Sequence, residues 1–286
     1  MIIMLTKNYL STYAKSFNWA GFFLPKKTYV KCSALYDFCR TVDNIADENS
    51  SLVTKKNNFL KFKSEFNNKN FANPVIGNMW KLIDEFKISL IIINDLFDGI
   101  ESDIKEKVVL DNKKDLLIYS YRVAGTVGLM MAKVLKVKNK DALKSAINLG
   151  IAMQLTNICR DVVEDKMNNR FYIVEDFDVI KSTINLSNIF YDISFWAIKE
   201  IPLSFRFSIL VARRVYKRIG HKISKKNNLA EYQSAKKIYV TKIEKIYETI
   251  MSIIDLLKLN FVKKKNYTVD KDIDLINEEL FINERI

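Results

Sequence analysis

Only 7 glycines and 3 prolines occur in 286 residues. Sheets need frequent chain reversals, and reversals draw on glycine for positive φ and on proline for a fixed φ. A chain this poor in both can make few turns and must spend its length in long helices. Apolar residues recur at three- and four-residue spacing almost throughout, which is the helical period. The spacing predicts helices over 6–20, 26–48, 52–66, 74–86, 89–105, 113–136, 139–167, 185–200, 203–224 and 230–262. Pro25, Pro74 and Pro202 each fall near a predicted helix start, where a missing N–H removes no intrahelical bond. No Pro-, Gly- or Ser-rich linker divides the chain, and no internal repeat is evident. The expected fold is all-α, a single helical domain over 1–265 with a polar, loosely packed tail over 266–286.

Composition narrows the chemistry. Hydrophobic residues make up 49% of the chain, enough for a sizeable core. The formal net charge is +13, but the lysines are scattered and no nucleic-acid signature accompanies them. We read most Lys and Asn as surface residues of a biased composition, with no nucleic-acid partner. Cys32, Cys39 and Cys159 lie in apolar helical contexts and form no C-x-x-C pair, so they read as reduced core thiols of a cytoplasmic protein. The single histidine, His221, argues against a His-rich zinc site or a Ser-His-Asp triad. A metal here would need oxygen ligands, which favours Mg²⁺. No signal peptide and no membrane span are expected.

Two polar stripes stand out on otherwise apolar helices. In SALYDFCRTVDNIADE, Tyr36, Arg40, Asp43 and Asp47 are spaced four, three and four residues apart and share one helix face. Leu35, Cys39, Val42 and Ala46 run beside them. In QLTNICRDVVED, Gln154, Asn157, Asp161 and Asp165 form a second stripe among Ile151, Met153, Leu155, Ile158 and Cys159. A lone D-x-x-x-D is usually a solvated face. Carboxylates one turn apart on a largely buried helix repel each other and are costly to desolvate. Cations between two facing stripes would resolve both problems, and Mg²⁺ commonly bridges carboxylates to phosphate oxygens. A diphosphate leaving group is then the natural substrate chemistry.

AKSFNWAGFFLP, ALYDFCRTVDNIAD, YRVAGTVG and AMQLTNICRDVVED, followed by NRFYI, resemble the squalene/phytoene synthase family in order and spacing. The match weakens through RFSILVARRVYKRI and KIYVTKIEKI and spans about residues 10–250. The resemblance implies an isoprenoid-synthase bundle around a central cavity and a magnesium-dependent prenyltransferase of isoprenoid and carotenoid biosynthesis. It implies catalytic, metal-binding roles for Asp43, Asp47, Asp161 and Asp165, with Asn157 as a further ligand and Mn²⁺ as a substitute metal. It implies substrate contacts from Lys15, Ser16, Phe17, Tyr36, Arg40, Gln154, Asn157, Arg160 and Tyr232. Tyr119, Val123 and Thr126 share a face that lines the tail channel in the family. Core packing is the plain alternative for Tyr119 and Val123, and an intrahelical pair with Glu164 is the alternative for Arg160. Lys237 stands where the family commonly has arginine, and a proline is missing after NRFYI. Gly125 and Gly128 read as close helix packing, since no strand precedes them for a dinucleotide fold.

The blocks read most like bacterial phytoene synthases. The expected reaction joins two geranylgeranyl diphosphates into phytoene through a cyclopropyl diphosphate. The alternative uses farnesyl diphosphate to make presqualene diphosphate, squalene or dehydrosqualene, with NADPH needed only for squalene. A non-catalytic assembly factor is the reading of another class, and the four retained aspartates argue against it. The apolar, Lys-flanked stretch from Tyr247 to Lys265 reads first as a last helix packed on the core, and second as a peripheral membrane contact.

Overall fold

The computed structural model describes residues 9–12, 15–235, 237–263 and 270–286. The expectations for residues 1–8, 13, 14, 236 and 264–269 lie outside the described residues.

The chain begins with α1 (Tyr9–Thr12), α2 (Lys15–Gly21) and the long α3 (Lys26–Asp47). Three helices follow: α4 (Leu52–Asn67), α5 (Pro74–Phe86) and α6 (Leu90–Ser102). A two-residue strand, β1 (Val108–Val109), leads to α7 (Lys113–Ser120). A π-helical turn over Tyr121–Gly125 then joins α7 to α8 (Thr126–Val134). The central helix is α9 (Lys140–Met167), followed by β2 (Arg170–Phe171) and α10 (Phe177–Phe195). A 3-10 segment (Trp196–Glu200) leads into α11 (Leu203–Ser224). The chain closes with α12 (Leu229–Ser234), α13 (Lys242–Lys258) and α14 (Asp270–Leu280). Helix α9 is packed by α8, α10, α11 and the π turn, so its apolar residues Ile151, Leu155 and Cys159 have no exposure at all.

Local sequence explains the helix starts. Ser51, Asn73, Ser89, Asn112, Asn139, Asp176, Asn228 and Thr241 each accept a backbone N–H of the first turn. Such a cap contributes about 1 kcal/mol. Four of the asparagines are therefore structural caps rather than neutral surface residues. Asp176 also explains why α10 begins eight residues before the expected 185. It binds the N–H groups of both Asp178 and Val179.

Several expectations are corrected. The helix foreseen over 113–136 is interrupted by the π turn, and that over 230–262 breaks between Ser234 and Thr241. There a Thr241–Glu244 capping box starts α13 afresh. The strands were not foreseen; β1 and β2 pair in parallel, with Val108 opposite Arg170 and Val109 opposite Phe171. The tail is not loose from Asp270 onward. Helix α14 packs on α7, buries Ile276 and Leu280, and is followed by Arg285, whose Nε lies 2.6 Å from Asp95. Helix α13 does not put its apolar face on the core, because the residues it buries are Glu248, Ser252 and Asp255. The glycine reading holds, since a Cβ on Gly128 would lie 2.3 Å from the Ala146 carbonyl oxygen. Among the described residues no helix is long and apolar enough to cross a membrane.

Candidate active site

A cavity of about 350 Å³ runs through the bundle between α2, α3, α6, the π turn, α8, α9 and α11. Its mouth is polar: Tyr36, Arg40 and Asp43 come from α3, and Gln154 and Asn157 from α9. Its body is apolar, walled by side chains such as Leu96, Ile100, Val127, Leu149 and Ile209. Both stripes read from sequence thus reach one cavity, through Tyr36, Arg40 and Asp43 on one side and Gln154 and Asn157 on the other, while Asp47, Arg160, Asp161 and Asp165 do not line it. Phe17 stands in the wall with its ring 4.8 Å from Tyr216 and 6.5 Å from Tyr36.

The carboxylates are held by cations of the chain itself. Arg40 pairs with Asp43 and lies 3.5 Å from Asp47. Arg170 donates to Asp47 at 2.8 Å and to the Ala46 carbonyl at 3.2 Å. The short β1–β2 pairing is what carries Arg170 to this point. On the other stripe, Arg160 pairs with its neighbour Asp161, not with Glu164. Lys237 binds Glu164 at 2.7 Å and approaches Asp161 at 3.6 Å.

Burial and mutual repulsion raise one acid in each stripe. Asp43 is pushed up to about 6 by burial and then by Asp47, with Arg40 opposing. Asp165 is pushed up to about 7 by burial and then by Asp161, with Arg170 opposing. Asp103 and Arg170 act on both Asp43 and Asp165, so the stripes share one electrostatic field.

Among the described residues no three carboxylate, thiol or imidazole groups close on one point. Mg²⁺ does not need such a cage: it keeps several waters and takes one or two carboxylates plus substrate phosphates. The donors present are all oxygens. Two of the acids are held away from their ordinary ionisation, and the buried Asn157 Oδ1 has no hydrogen-bond partner. A buried acceptor left without a partner calls for a water or an ion to complete it, and this set of oxygen donors is compatible with Mg²⁺.

Other expected contacts are distributed differently. Val123 and Tyr119 line the cavity. Thr126 does not; its hydroxyl bonds the Arg122 carbonyl in the preceding turn. Lys15 is exposed at the start of α2, where its carbonyl accepts from Lys245, and Ser16 is half-buried beside it. Tyr232 is buried and its hydroxyl donates to the Cys159 carbonyl at 2.8 Å, tying α12 to α9 instead of pointing into the cavity.

Sequence reasoning passed over Asp103. It caps the C-terminal end of α6 and is buried, and its two oxygens accept from Tyr119 and Tyr172 at 2.8 Å each. Burial raises its pKa. A usable signal was present, because an acid at a helix C-terminus opposes the macrodipole and calls for another reason to be there.

The geometry agrees with what known proteins resemble. A squalene/phytoene synthase family profile matches residues 10–178. The phytoene synthase of Cereibacter sphaeroides is 28% identical over 249 residues, covering 76% of this chain and 70% of that protein. The 15-cis-phytoene synthase of Pantoea ananas is 27% identical, covering 73% and 78%. A dehydrosqualene synthase crystal structure superposes with a TM-score of 0.71 at 25% identity, covering 87% of this chain and 94% of that one. With the family profile spanning more than half of its residues, the chain belongs to the squalene/phytoene synthase family of prenyltransferases.

Proposed function

We propose that this chain joins two geranylgeranyl diphosphates head to head to give phytoene, through a cyclopropylcarbinyl (prephytoene) diphosphate. The family supports head-to-head condensation of prenyl diphosphates. The observation that carries the reading is the single cavity with Asp43 and Asn157 at its mouth and apolar side chains along its body. That is the shape of a diphosphate head on a hydrocarbon tail.

Asp43, Asp47, Asn157, Asp161 and Asp165 would hold Mg²⁺, which supplies charge neutralisation for the departing diphosphate. Arg40, Arg160 and Lys237 now pair with these acids and would turn to diphosphate oxygens when cations take the carboxylates. Arg40 and Arg160 offer the planar fork that suits phosphate, and Lys237 a point charge. Loss of one diphosphate leaves an allylic cation, and C–C bond formation from the second molecule's double bond closes a cyclopropane with loss of a proton. Loss of the remaining diphosphate drives rearrangement to a second allylic cation, and a final proton loss gives the triene. The rings of Phe17, Tyr36 and Tyr216 sit where cation–π contact can stabilise such charge. The apolar walls exclude water that would capture it. His221 is exposed near the end of α11, so the departed diphosphate or a water is the proton acceptor.

Chain length favours the longer substrate. Phytoene synthases recur among the relatives, and the wall includes Ala132, Ala142 and Ser145, whose small side chains leave room for a tail. The structural likeness to a dehydrosqualene synthase supports a second reading, farnesyl diphosphate giving dehydrosqualene, presqualene diphosphate or, with NADPH, squalene. The test supplies each diphosphate separately with Mg²⁺, with and without NADPH, and reads extracts by mass spectrometry. Phytoene from geranylgeranyl diphosphate without NADPH is expected. A C30 product alone would replace the substrate and keep the site. Folded protein with metal and no product from either would return the chain to a non-catalytic role.

A further inference from the structure

Helix α13 is amphipathic in the reverse sense for a bundle helix. The side it presents to α11 carries Glu244, Glu248, Ser252 and Asp255. Arg214 binds Glu248 and Asp255 at 2.8 Å each, while Arg218 and Lys222 take Glu244 at 3.2 and 2.9 Å. The opposite side carries Ile243, Ile246, Tyr247, Ile250, Ile253, Ile254 and Leu257 at helical spacing, and nothing in the described structure covers it. Ile243 is 80% exposed, Leu257 62%, and Phe261 just beyond the helix 86%.

The patch extends beyond one helix. Lys245 donates to the Lys15 carbonyl and Trp19 to the Thr249 hydroxyl. Both bonds join residues 230 positions apart, so α2 and α13 run parallel in constant register. Phe22 and Phe23 follow in the turn after α2, where the Phe23 ring packs edge-on against Phe207 of α11. Phe22 is 80% exposed. Gly21 and Leu24, which bracket these two phenylalanines, line the cavity. The turn that carries them is therefore part of the cavity wall on its inner side.

We propose that the outer face of α13 and the Phe22–Phe23 turn dock this protein on an anionic lipid bilayer. Charge selects that occupant. Lys242, Lys258 and Lys263 are exposed at the two ends of the apolar stripe, while the acids of α13 are turned inward into ion pairs. An apolar stripe flanked by lysines suits an interfacial helix on acidic headgroups. A second copy of the chain is the poorer partner, because each copy carries +13 and a face-to-face pair would bring the same lysines together. The chain's own C-terminal helix does not cover the stripe, since α14 packs on α7. Bilayer contact beside the cavity gives prenyl tails and an apolar product a route that avoids water, but docking itself needs no turnover.

The test is sedimentation of the full-length protein with vesicles of equal parts phosphatidylglycerol and phosphatidylcholine. The wild type is expected to sediment with them and to be released by high salt. Ile250→Glu combined with Leu257→Glu should lower the partition coefficient about tenfold or more, since each substitution puts a charge where an apolar side chain enters the interface. Both side chains are more than half exposed, so the melting temperature should stay at the wild-type value. Three results overturn the proposal: wild type that stays in the supernatant, a double variant that binds as well as wild type, or a wild-type dimer in solution that the double variant splits. The last would assign the face to a second copy. None of these readouts depends on which prenyl diphosphate is used.

Discussion

Replacing Gly150 by alanine should destabilise this protein, although the same exchange in most helix interiors stabilises. Gly150 lies in α9 where the π turn crosses it. A Cβ there would stand 2.2 Å from the Ala124 carbonyl oxygen, 2.7 Å from its carbon and 2.9 Å from Gly125 Cα. All three are backbone atoms, so no rotamer change relieves the clash. Restoring ordinary contact needs a backbone shift of about 1 Å or more. Overpacking costs about 1–3 kcal/mol, and a fixed backbone obstacle puts this case at the upper end or above. Alanine returns about 1 kcal/mol through lower unfolded-chain entropy. The net is a loss of about 2 kcal/mol, or about 4–8 °C in melting temperature for a domain of this size. Gly77 in α5 is the control. Its added Cβ would meet nothing closer than 3.6 Å, so Gly77→Ala should be neutral or raise the melting temperature by a few degrees. Thermal unfolding followed by circular dichroism reads both. Val123 and Ala124 of the π turn line the cavity, so Gly150→Ala should also lower turnover. A Gly150→Ala protein as stable as Gly77→Ala would refute the account of how the two segments touch.

Asp43→Asn and Asp161→Asn should each abolish turnover with the fold intact, and added Mg²⁺ should raise the melting temperature of wild type more than of either variant. Retained activity in both at saturating Mg²⁺ would remove the metal assignment. The raised pKa of Asp165 also predicts a pH effect in metal-free protein. Between about pH 4 and 7 the folded state holds a proton that the unfolded chain, with an ordinary carboxyl pKa, has released, so this group's stabilisation is lost as pH rises through about 7. Asp165→Asn should therefore match wild type in melting temperature near pH 4 and exceed it at pH 8; a difference independent of pH would contradict the burial argument. Tyr172→Phe removes one donor from buried Asp103, and a hydrogen bond to a charged group contributes about 1.5–3 kcal/mol. A fall in melting temperature of several degrees is expected, and no change would mean that water replaces the hydroxyl.

Much of this fold was legible because helices announce themselves locally. The 3.6-residue period placed α3, α4, α5, α9 and α11 within a few residues of their true ends. The exceptions have causes that act across the chain. The π turn at Tyr121–Gly125 answers to Gly150 on another helix, and the β1–β2 pairing joins residues some 60 positions apart. The start of α10 was readable in principle, since Asp176 is an ordinary cap, but the apolar period weakens just after it. The candidate site was legible in its acids and less so in what surrounds them. Asp43, Asp47, Asp161 and Asp165 follow helical spacing. Asp103, Arg170 and Tyr172 arrive from a helix end, the two-residue strand β2 and the bend just after it, where no period marks them.

Helix α13 shows where periodicity stops being informative. A hydrophobic stripe fixes which residues share a face, and it did so here for Ile243 through Leu257. It does not fix which face turns inward. That choice depends on the partner helix, and α11 presents Arg213, Arg214, Arg218 and Lys222. Removing these cations from water without partners would cost more than leaving several isoleucines exposed. The stripe side chains are only partly exposed, most of them by about half, so each forfeits a fraction of the roughly 1.5–3 kcal/mol of full exposure, whereas breaking one partner from a buried ion pair costs about 3–5 kcal/mol. Arg213 is already buried, and Glu248 and Asp255 are buried with it. The acids on α13 therefore choose the inward face, and the apolar stripe is left outside as a consequence. The order of these two terms can be tested on the helix itself. Replacing Arg214 by methionine leaves Glu248 and Asp255 without their closest partner and should lower the melting temperature, whereas Ile250→Glu on the outer face should leave it unchanged. The reverse ranking would mean that the stripe, not the ion pairs, decides how α13 is seated.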